Sequence, residues 1–120
     1  MNILIVDDAR AMRMIVRRTL RQAGFGSHSV EEAGNGKEAL EAIRKAPPDL
    51  VLSDWNMPEM TGIELLRELK DNGPRVPFGF ITTEGTSEMV NQAREAGALF
   101  VITKPFTPES FQRELSSLLG

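Results

Sequence analysis

Asp7 and Asp8 stand side by side directly after the apolar run Ile3-Leu4-Ile5-Val6. Asp54 follows a second such run, Leu50-Val51-Leu52-Ser53. Short apolar runs of this kind read as buried strands, and the crevice outside strand carboxyl ends is where an α/β sheet places its chemistry. Three carboxylates brought together would repel, and one would take up a proton unless a cation stood among them. Oxygen ligands of this kind suit Mg²⁺. The chain thus presents an acidic metal pocket with a candidate nucleophile, Asp54, inside it. Two further groups fall at strand ends, the hydroxyl of Thr82 and the ammonium of Lys104.

These groups need a scaffold that draws distant residues to one edge. Strand-like runs at Ile3–Val6, Ser29–Ala33, Leu50–Ser53, Phe78–Thr82 and Leu99–Ile102 alternate with segments of helical period. The first helix spans about Ala9 to Ala23 with Met12, Ile15, Val16 and Leu20 inward, and Gly24 stops it. Lys37 to Lys45 forms the second, inward at Leu40 and Ile43 and ended by Pro47-Pro48. The third carries Ile63, Leu65, Leu66 and Leu69. The fourth has Ser87 as its cap and Val90, Ala93 and Ala96 inward. The last begins at Thr107-Pro108 in the cap-then-proline manner, with Phe111, Leu115 and Leu118 as its stripe. Five strands alternating with five helices imply a parallel sheet covered on both faces. Right-handed crossovers make it a doubly wound, three-layer α/β sandwich. In a parallel sheet the ends carrying Asp7, Asp8, Asp54, Thr82 and Lys104 share one edge.

Each residue also has an ordinary reading. Asp8 could cap the first helix, and Ser53-Asp54-Trp55-Asn56 could be a polar turn. Joint placement argues for chemistry. A cation held by Asp8 and Asp54 would bind a phosphoryl group, Asp54 would attack phosphorus, and Lys104 with Thr82 would stabilise the equatorial oxygens. The product is an aspartyl phosphate.

Composition narrows the alternatives. At 120 residues, 41% hydrophobic and 26% charged, the chain is expected to be one soluble globular domain. A net charge of −3 gives no reason to expect nucleic-acid or anionic-membrane binding. With no cysteine and a single histidine, His28, thiol catalysis, zinc-thiolate and multi-histidine sites are excluded. His28 reads as a loop residue without a role. No signal peptide or membrane span is read, so a cytoplasmic location is expected. Neither a phosphate-cradling flavin loop after strand one nor a Gly-x-x-x-x-Gly-Lys loop is present. Arg10, Arg13, Arg17 and Arg21 recur at helical spacing opposite the apolar stripe, as a solvated face or as a docking surface for an acidic partner.

The pieces Ile-Val-Asp7-Asp8, Val-Glu-Glu-Ala, Ser-Asp54-Trp-Asn-Met-Pro-Glu-Met-Thr-Gly, Ile-Thr82-Thr and Thr-Lys104-Pro105-Phe run the length of the chain. In that order and spacing the sequence resembles a receiver domain of a two-component response regulator, of the stand-alone chemotaxis type (CheY-like). The resemblance implies a five-stranded flavodoxin-like fold of strand order 2-1-3-4-5 across residues 1–120. Asp54 would be the phosphoacceptor, Thr82 the switch hydroxyl and Lys104 the phosphate-contacting lysine. Asp7, Asp8, Asp54 and the backbone carbonyl of Asn56 would hold Mg²⁺, with Mn²⁺ as a substitute. The Lys104–Pro105 bond would be cis.

The phosphodonor would be a sensor histidine kinase or phosphotransfer protein. The readout would be a downstream protein contact by a monomer or weak homodimer. The domain would catalyse its own phosphorylation and dephosphorylation without turning over an external substrate. Asn56 and Glu84 match the chemotaxis pattern of rapid self-dephosphorylation. Val101 departs from the family pattern, which carries an aromatic three residues before the lysine; Phe100, next to it, is expected on the opposite face. Two other readings share parts of the pattern: a phosphorylation-independent interaction module, and a Mg²⁺-dependent aspartyl phosphatase. The phosphatase needs a second acid two residues past the nucleophile, where this chain has Asn56. If the protein ends at Gly120, the expected output is a protein–protein contact; if the chain is a fragment of a longer regulator, the output lies elsewhere.

Overall fold

The computed structural model describes residues 1–119. Strands β1 (Asn2–Val6), β2 (Ser29–Ala33), β3 (Leu50–Ser53), β4 (Phe78–Thr82) and β5 (Phe100–Thr103) alternate with five helices. These are α1 (Arg10–Gln22), α2 (Gly36–Lys45), α3 (Gly62–Asn72), α4 (Ser87–Ala96) and α5 (Pro108–Leu119). The strands form one parallel sheet in the order β2-β1-β3-β4-β5. The expected flavodoxin-like arrangement of order 2-1-3-4-5 is therefore observed, with its order reversing between β1 and β3. Ligand crevices in open α/β sheets form at such a reversal.

Period-2 alternation divides the strand side chains between two cores. Leu4, Val6, Val51, Phe78 and Phe80 face one side, with Leu40 and Ile43 of α2, Leu65, Leu66 and Leu69 of α3, and Ala93 and Ala96 of α4. Ile3, Ile5, Leu50, Leu52, Ile81 and Ile102 face the other, with Val16 and Leu20 of α1 and Phe111, Leu115 and Leu119 of α5.

Three local expectations need correction. Ile15 is exposed on α1, and Thr19 is buried instead. At 100° per residue the inward stripe is Met12, Val16, Thr19, Leu20 and Ala23, and Ile15 sits on its margin. Thr19 satisfies its hydroxyl by donating to the Ile15 carbonyl at 2.8 Å. The cap of α4 is Thr86, whose side chain accepts from Met89 N–H at 3.2 Å, so Ser87 is already the first helical residue. Leu99 lies outside β5 with its side chain exposed, although its N–H still donates to the Phe78 carbonyl.

Phe100 and Val101 point to opposite faces, as alternation requires. Phe100 joins the α1/α5 core, and Val101 packs against the other. The Phe100 ring covers the Cα of its register partner Gly79, where a Cβ would run into it. No helix among the described residues is long and apolar enough to cross a membrane.

Candidate functional site

β1 delivers the first two carboxylates. Asp7 is buried and Asp8 is exposed. Every polar atom of Asp7 is engaged. Its N–H donates to the Ala33 carbonyl, its Oδ1 accepts from Ala9 N–H at 2.9 Å, its Oδ2 receives Lys104 Nζ at 3.3 Å, and its carbonyl accepts from Arg13 at 2.6 Å. β3 delivers Asp54, whose N–H donates to the Val6 carbonyl at 2.8 Å and so ties the ends of β3 and β1 together. The Asp54 Oδ1 accepts from Trp55 N–H at 2.8 Å and lies 3.6 Å from Lys104 Nζ.

One carboxylate oxygen from each of Asp7, Asp8 and Asp54 lies within 4.8 Å of the others. A small hard cation sits about 2.1 Å from each oxygen, so opposite ligands are about 4.2 Å apart. The cluster has the size and the donor chemistry for such an ion. Three acids face one ammonium, and the consequence shows at Asp54. Burial pushes its carboxyl above the usual carboxylate range. Lys104 pulls it down, Asp7 pushes it up, the Trp55 N–H pulls it down and Asp8 pushes it up, with burial the largest influence.

β4 and β5 complete the edge. Thr82 is fully buried, and its hydroxyl accepts from Glu84 N–H at 3.3 Å, which leaves its own hydrogen to donate. Lys104 N–H donates to the Thr82 carbonyl at 2.7 Å, which extends the β4–β5 ladder by one bond, and the Lys104–Pro105 peptide is cis. Asn56 is exposed in the loop after β3, two residues beyond Asp54. Thus four strand ends carry Asp7, Asp8, Asp54, Thr82 and Lys104 to one rim.

The loop from Asp54 to α3 holds that rim in shape. Gly62 N–H donates to the Trp55 carbonyl at 2.8 Å, and a Cβ on Gly62 would strike the Asp54 carbonyl and the Phe80 ring. Thr61 and Glu64 form a reciprocal capping box at the start of α3. Trp55 and Met57 turn inward to the core, the indole 4.7 Å from the Phe80 ring. Glu59 takes a left-handed φ of 66° between them and α3.

Sequence reasoning treated Gly62 only as part of a motif and Arg13 only as part of a charged face. The signal for Gly62 was its place after Thr61 at a helix start, in the same motif as the nucleophile. For Arg13 it was a spacing of six from Asp7, which the backward lean of helical side chains can bridge. His28 lies at the opposite edge of the sheet, before β2, where its Nδ1 is 3.3 Å from the Met1 amine. The arginines are not simply solvated: Arg13 and Arg17 both pair with Glu32 at 2.8 Å.

Comparison with known proteins gives concordant results. The family model for the response regulator receiver domain matches residues 3–116. A chemotaxis protein of Helicobacter pylori, CheY1, is 38% identical over 123 residues, covering 100% of this chain and 98% of that protein. The Vibrio cholerae chemotaxis protein CheY-3 is 39% identical over 120 residues, covering 98% and 91%. Among solved structures, the Vibrio cholerae chemotaxis response regulator CheY4 superposes with a TM-score of 0.83 at 36% identity, covering 98% of both chains.

Proposed function

The chain belongs to the response regulator receiver family, homologous to CheY chemotaxis proteins of two-component signalling, and from that premise we propose that Asp54 is its phosphoacceptor in a Mg²⁺-dependent reaction. One observation carries the reading: the nucleophile, two further acids, an ammonium and a buried hydroxyl come together from four strand ends.

Asp7, Asp8, Asp54 and the carbonyl of Asn56 would hold Mg²⁺, and Mn²⁺ could replace it at the same oxygen donors. When bound, the ion neutralises phosphoryl charge and lowers the repulsion among the acids. The protein's own groups do the rest. An Asp54 oxygen attacks phosphorus of a phosphohistidine, the P–N bond breaks, and the imidazole leaves with the electron pair and takes a proton from solvent. Lys104 pairs with a phosphoryl oxygen, and Asp7 keeps the ammonium at the rim. Thr82 donates its hydroxyl hydrogen to another oxygen. Burial keeps the Asp54 carboxyl partly desolvated, which favours attack by its ionised form. Water then attacks phosphorus, the bond from Asp54 oxygen to phosphorus breaks, and inorganic phosphate leaves; Asn56 and Glu84 fit the pattern of rapid self-dephosphorylation, and no external substrate is turned over.

The donor is a sensor histidine kinase or phosphotransfer protein in the cytoplasm, and the output is contact with a downstream protein in a chemotaxis pathway. The face formed by α4, β5 and α5 supplies that contact. Shifting a switch from nearly off to nearly on takes about 5.5 kcal/mol of differential stabilisation. With Val101 where the family carries an aromatic, the coupling falls to Thr82 and the backbone bond from Lys104 to it.

The test is intact-mass detection of a phosphoryl adduct after treatment with acetyl phosphate and phosphoramidate, with and without Mg²⁺, in the parent and in Asp54→Asn. A Mg²⁺-dependent adduct that Asp54→Asn abolishes is expected. Mg²⁺ binding with no adduct from any donor would instead favour a phosphorylation-independent interaction module.

A further inference from the structure

Arg13 lies in the first turn of α1, and its side chain leans back toward the start of the helix. Its guanidinium reaches two acceptors on different segments. Nη1 donates to the Asp7 carbonyl at 2.6 Å, and Nε donates to Glu32 Oε1 at 2.8 Å. Glu32 belongs to β2 and pairs in register with Ile5, which faces α1, so its carboxylate points at the helix. Arg17, one turn further on, donates to the other carboxylate oxygen at 2.8 Å. Burial works against the charged form of Glu32, and the hydrogen bonds and charges of Arg17 and Arg13 outweigh it, holding the carboxyl below the usual range.

We propose that Arg13 is a positioning residue of the acidic site, whose guanidinium, held by Glu32, fixes the main chain at Asp7 and through it the direction of the Asp7 and Asp8 carboxylates. This rests on the reading of those acids as the Mg²⁺ site.

The local structure explains why this bond matters. Past Val6 the sheet no longer provides a partner for the Asp7 carbonyl, which takes its hydrogen bond from a side chain. Ala9, at the N-cap of α1, has no side chain with which to lock the helix start. The turn therefore depends on Asp7 accepting from Ala9 N–H and on Arg13 holding the carbonyl behind it. The guanidinium reaches the two acceptors from two nitrogens in a fixed plane; a lysine would carry the charge but would have to meet both from one nitrogen on a flexible stem. Rotation of the Asp7 peptide would swing Asp8, the exposed and otherwise unanchored carboxylate, away from Asp54.

Two rival accounts predict different results. A helix–strand ion pair with no role in the site would change the melting temperature and leave metal affinity alone. A purely electrostatic role would make Mg²⁺ bind more tightly once the cation is removed. Positioning requires weaker Mg²⁺ binding even when the charge is kept.

The experiment titrates Mg²⁺ alone by isothermal calorimetry into the parent, Arg13→Lys, Arg13→Met, Glu32→Gln and Arg17→Met, with circular dichroism melts for each. Adduct formation from acetyl phosphate is followed across Mg²⁺ concentration. Arg13→Lys and Arg13→Met should raise the Mg²⁺ Kd by roughly tenfold, as outer-shell partners of metal sites do. Their rate at saturating Mg²⁺ should return close to the parent value. Glu32→Gln should give a smaller increase and Arg17→Met none. An Arg13→Lys that folds and binds Mg²⁺ as tightly as the parent overturns the proposal, as does an equal loss in Arg17→Met. Should Arg13→Met fail to fold, Arg13→Lys and Glu32→Gln decide. A parent protein that binds no Mg²⁺ would remove the metal site and this role together, whereas an unaffected Arg13→Lys beside a parent that binds would remove only this role.

Discussion

Lys104 Nζ stands 3.3 Å from Asp7 Oδ2, closer than its 3.6 Å to Asp54 Oδ1, in a contact between residues 97 positions apart. Before any phosphoryl group arrives, the lysine is parked between the buried Asp7 and the half-buried Asp54 and lowers their mutual repulsion. Lys104→Met should therefore bind Mg²⁺ at least as well as the parent, because a competing cation has gone. It should also lose roughly a hundredfold in the rate of adduct formation, the usual cost of one donor to a developing charge. Stopped-flow phosphorylation at saturating Mg²⁺ separates the two effects.

Asp54 supplies a pH signature. Burial, aided by Asp7 and Asp8, raises its carboxyl above the usual range despite Lys104 and the Trp55 N–H. Between the ordinary carboxylate range and the raised value, the folded protein therefore binds more proton at Asp54 than the unfolded chain does. Stability of the metal-free protein should fall as pH rises from the ordinary carboxylate range through the raised value, and the deficit is complete above it. Asp54→Asn removes this penalty. Melts in a chelator should show the variant more stable than the parent at neutral pH, with the gap closing as the solution is acidified. Mg²⁺ should stabilise the parent more than the variant.

Gly62 admits no side chain, because a Cβ there meets the Asp54 carbonyl on one side and Phe80 on the other. Gly62→Ala should cost about 1–3 kcal/mol, as overpacking does. Since the strain is delivered to the backbone of the nucleophile, the adduct yield should fall even at temperatures where the variant is fully folded. A urea melt paired with intact-mass analysis checks both parts.

The pair Gly79 and Phe100 behaves as one unit of packing, the ring filling the space that the missing side chain leaves. Gly79→Ala should destabilise by about 1–3 kcal/mol. In a double-mutant cycle with Phe100→Leu the loss should be smaller than additivity predicts, because the shorter side chain makes room.

Glu59 holds a left-handed φ of 66° at the rim of the site. Asparagine tolerates that conformation far better than glutamate does. Glu59→Asn should stabilise the fold by part of the roughly 1–2 kcal/mol that a left-handed residue costs, read from denaturant midpoints at unchanged slope.

Much of this protein was determined by its sequence alone. Apolar runs separated by segments of helical period dictate a parallel sheet between two helix layers, and a parallel sheet must gather its strand ends at one edge. The positions of Asp7, Asp8, Asp54, Thr82 and Lys104 follow from that geometry, because strand order and handedness leave few alternatives. Phe100 and Val101 were separable for a similar reason: period 2 is a local property of the chain.

What the tertiary structure alone decided lies where two segments compete for the same space or the same hydrogen. Helical period puts Ile15 at the margin of the inward side of α1, where an apolar side chain could still be covered, and the tertiary packing leaves it exposed while burying Thr19. Arg13 looked like one of four equivalent arginines until β2 brought Glu32 beside it and β1 left the Asp7 carbonyl without a strand partner. The raised carboxyl of Asp54 and the preference of Lys104 for Asp7 are likewise properties of through-space distances and burial, which depend on contacts across the whole chain and have no local pattern to announce them.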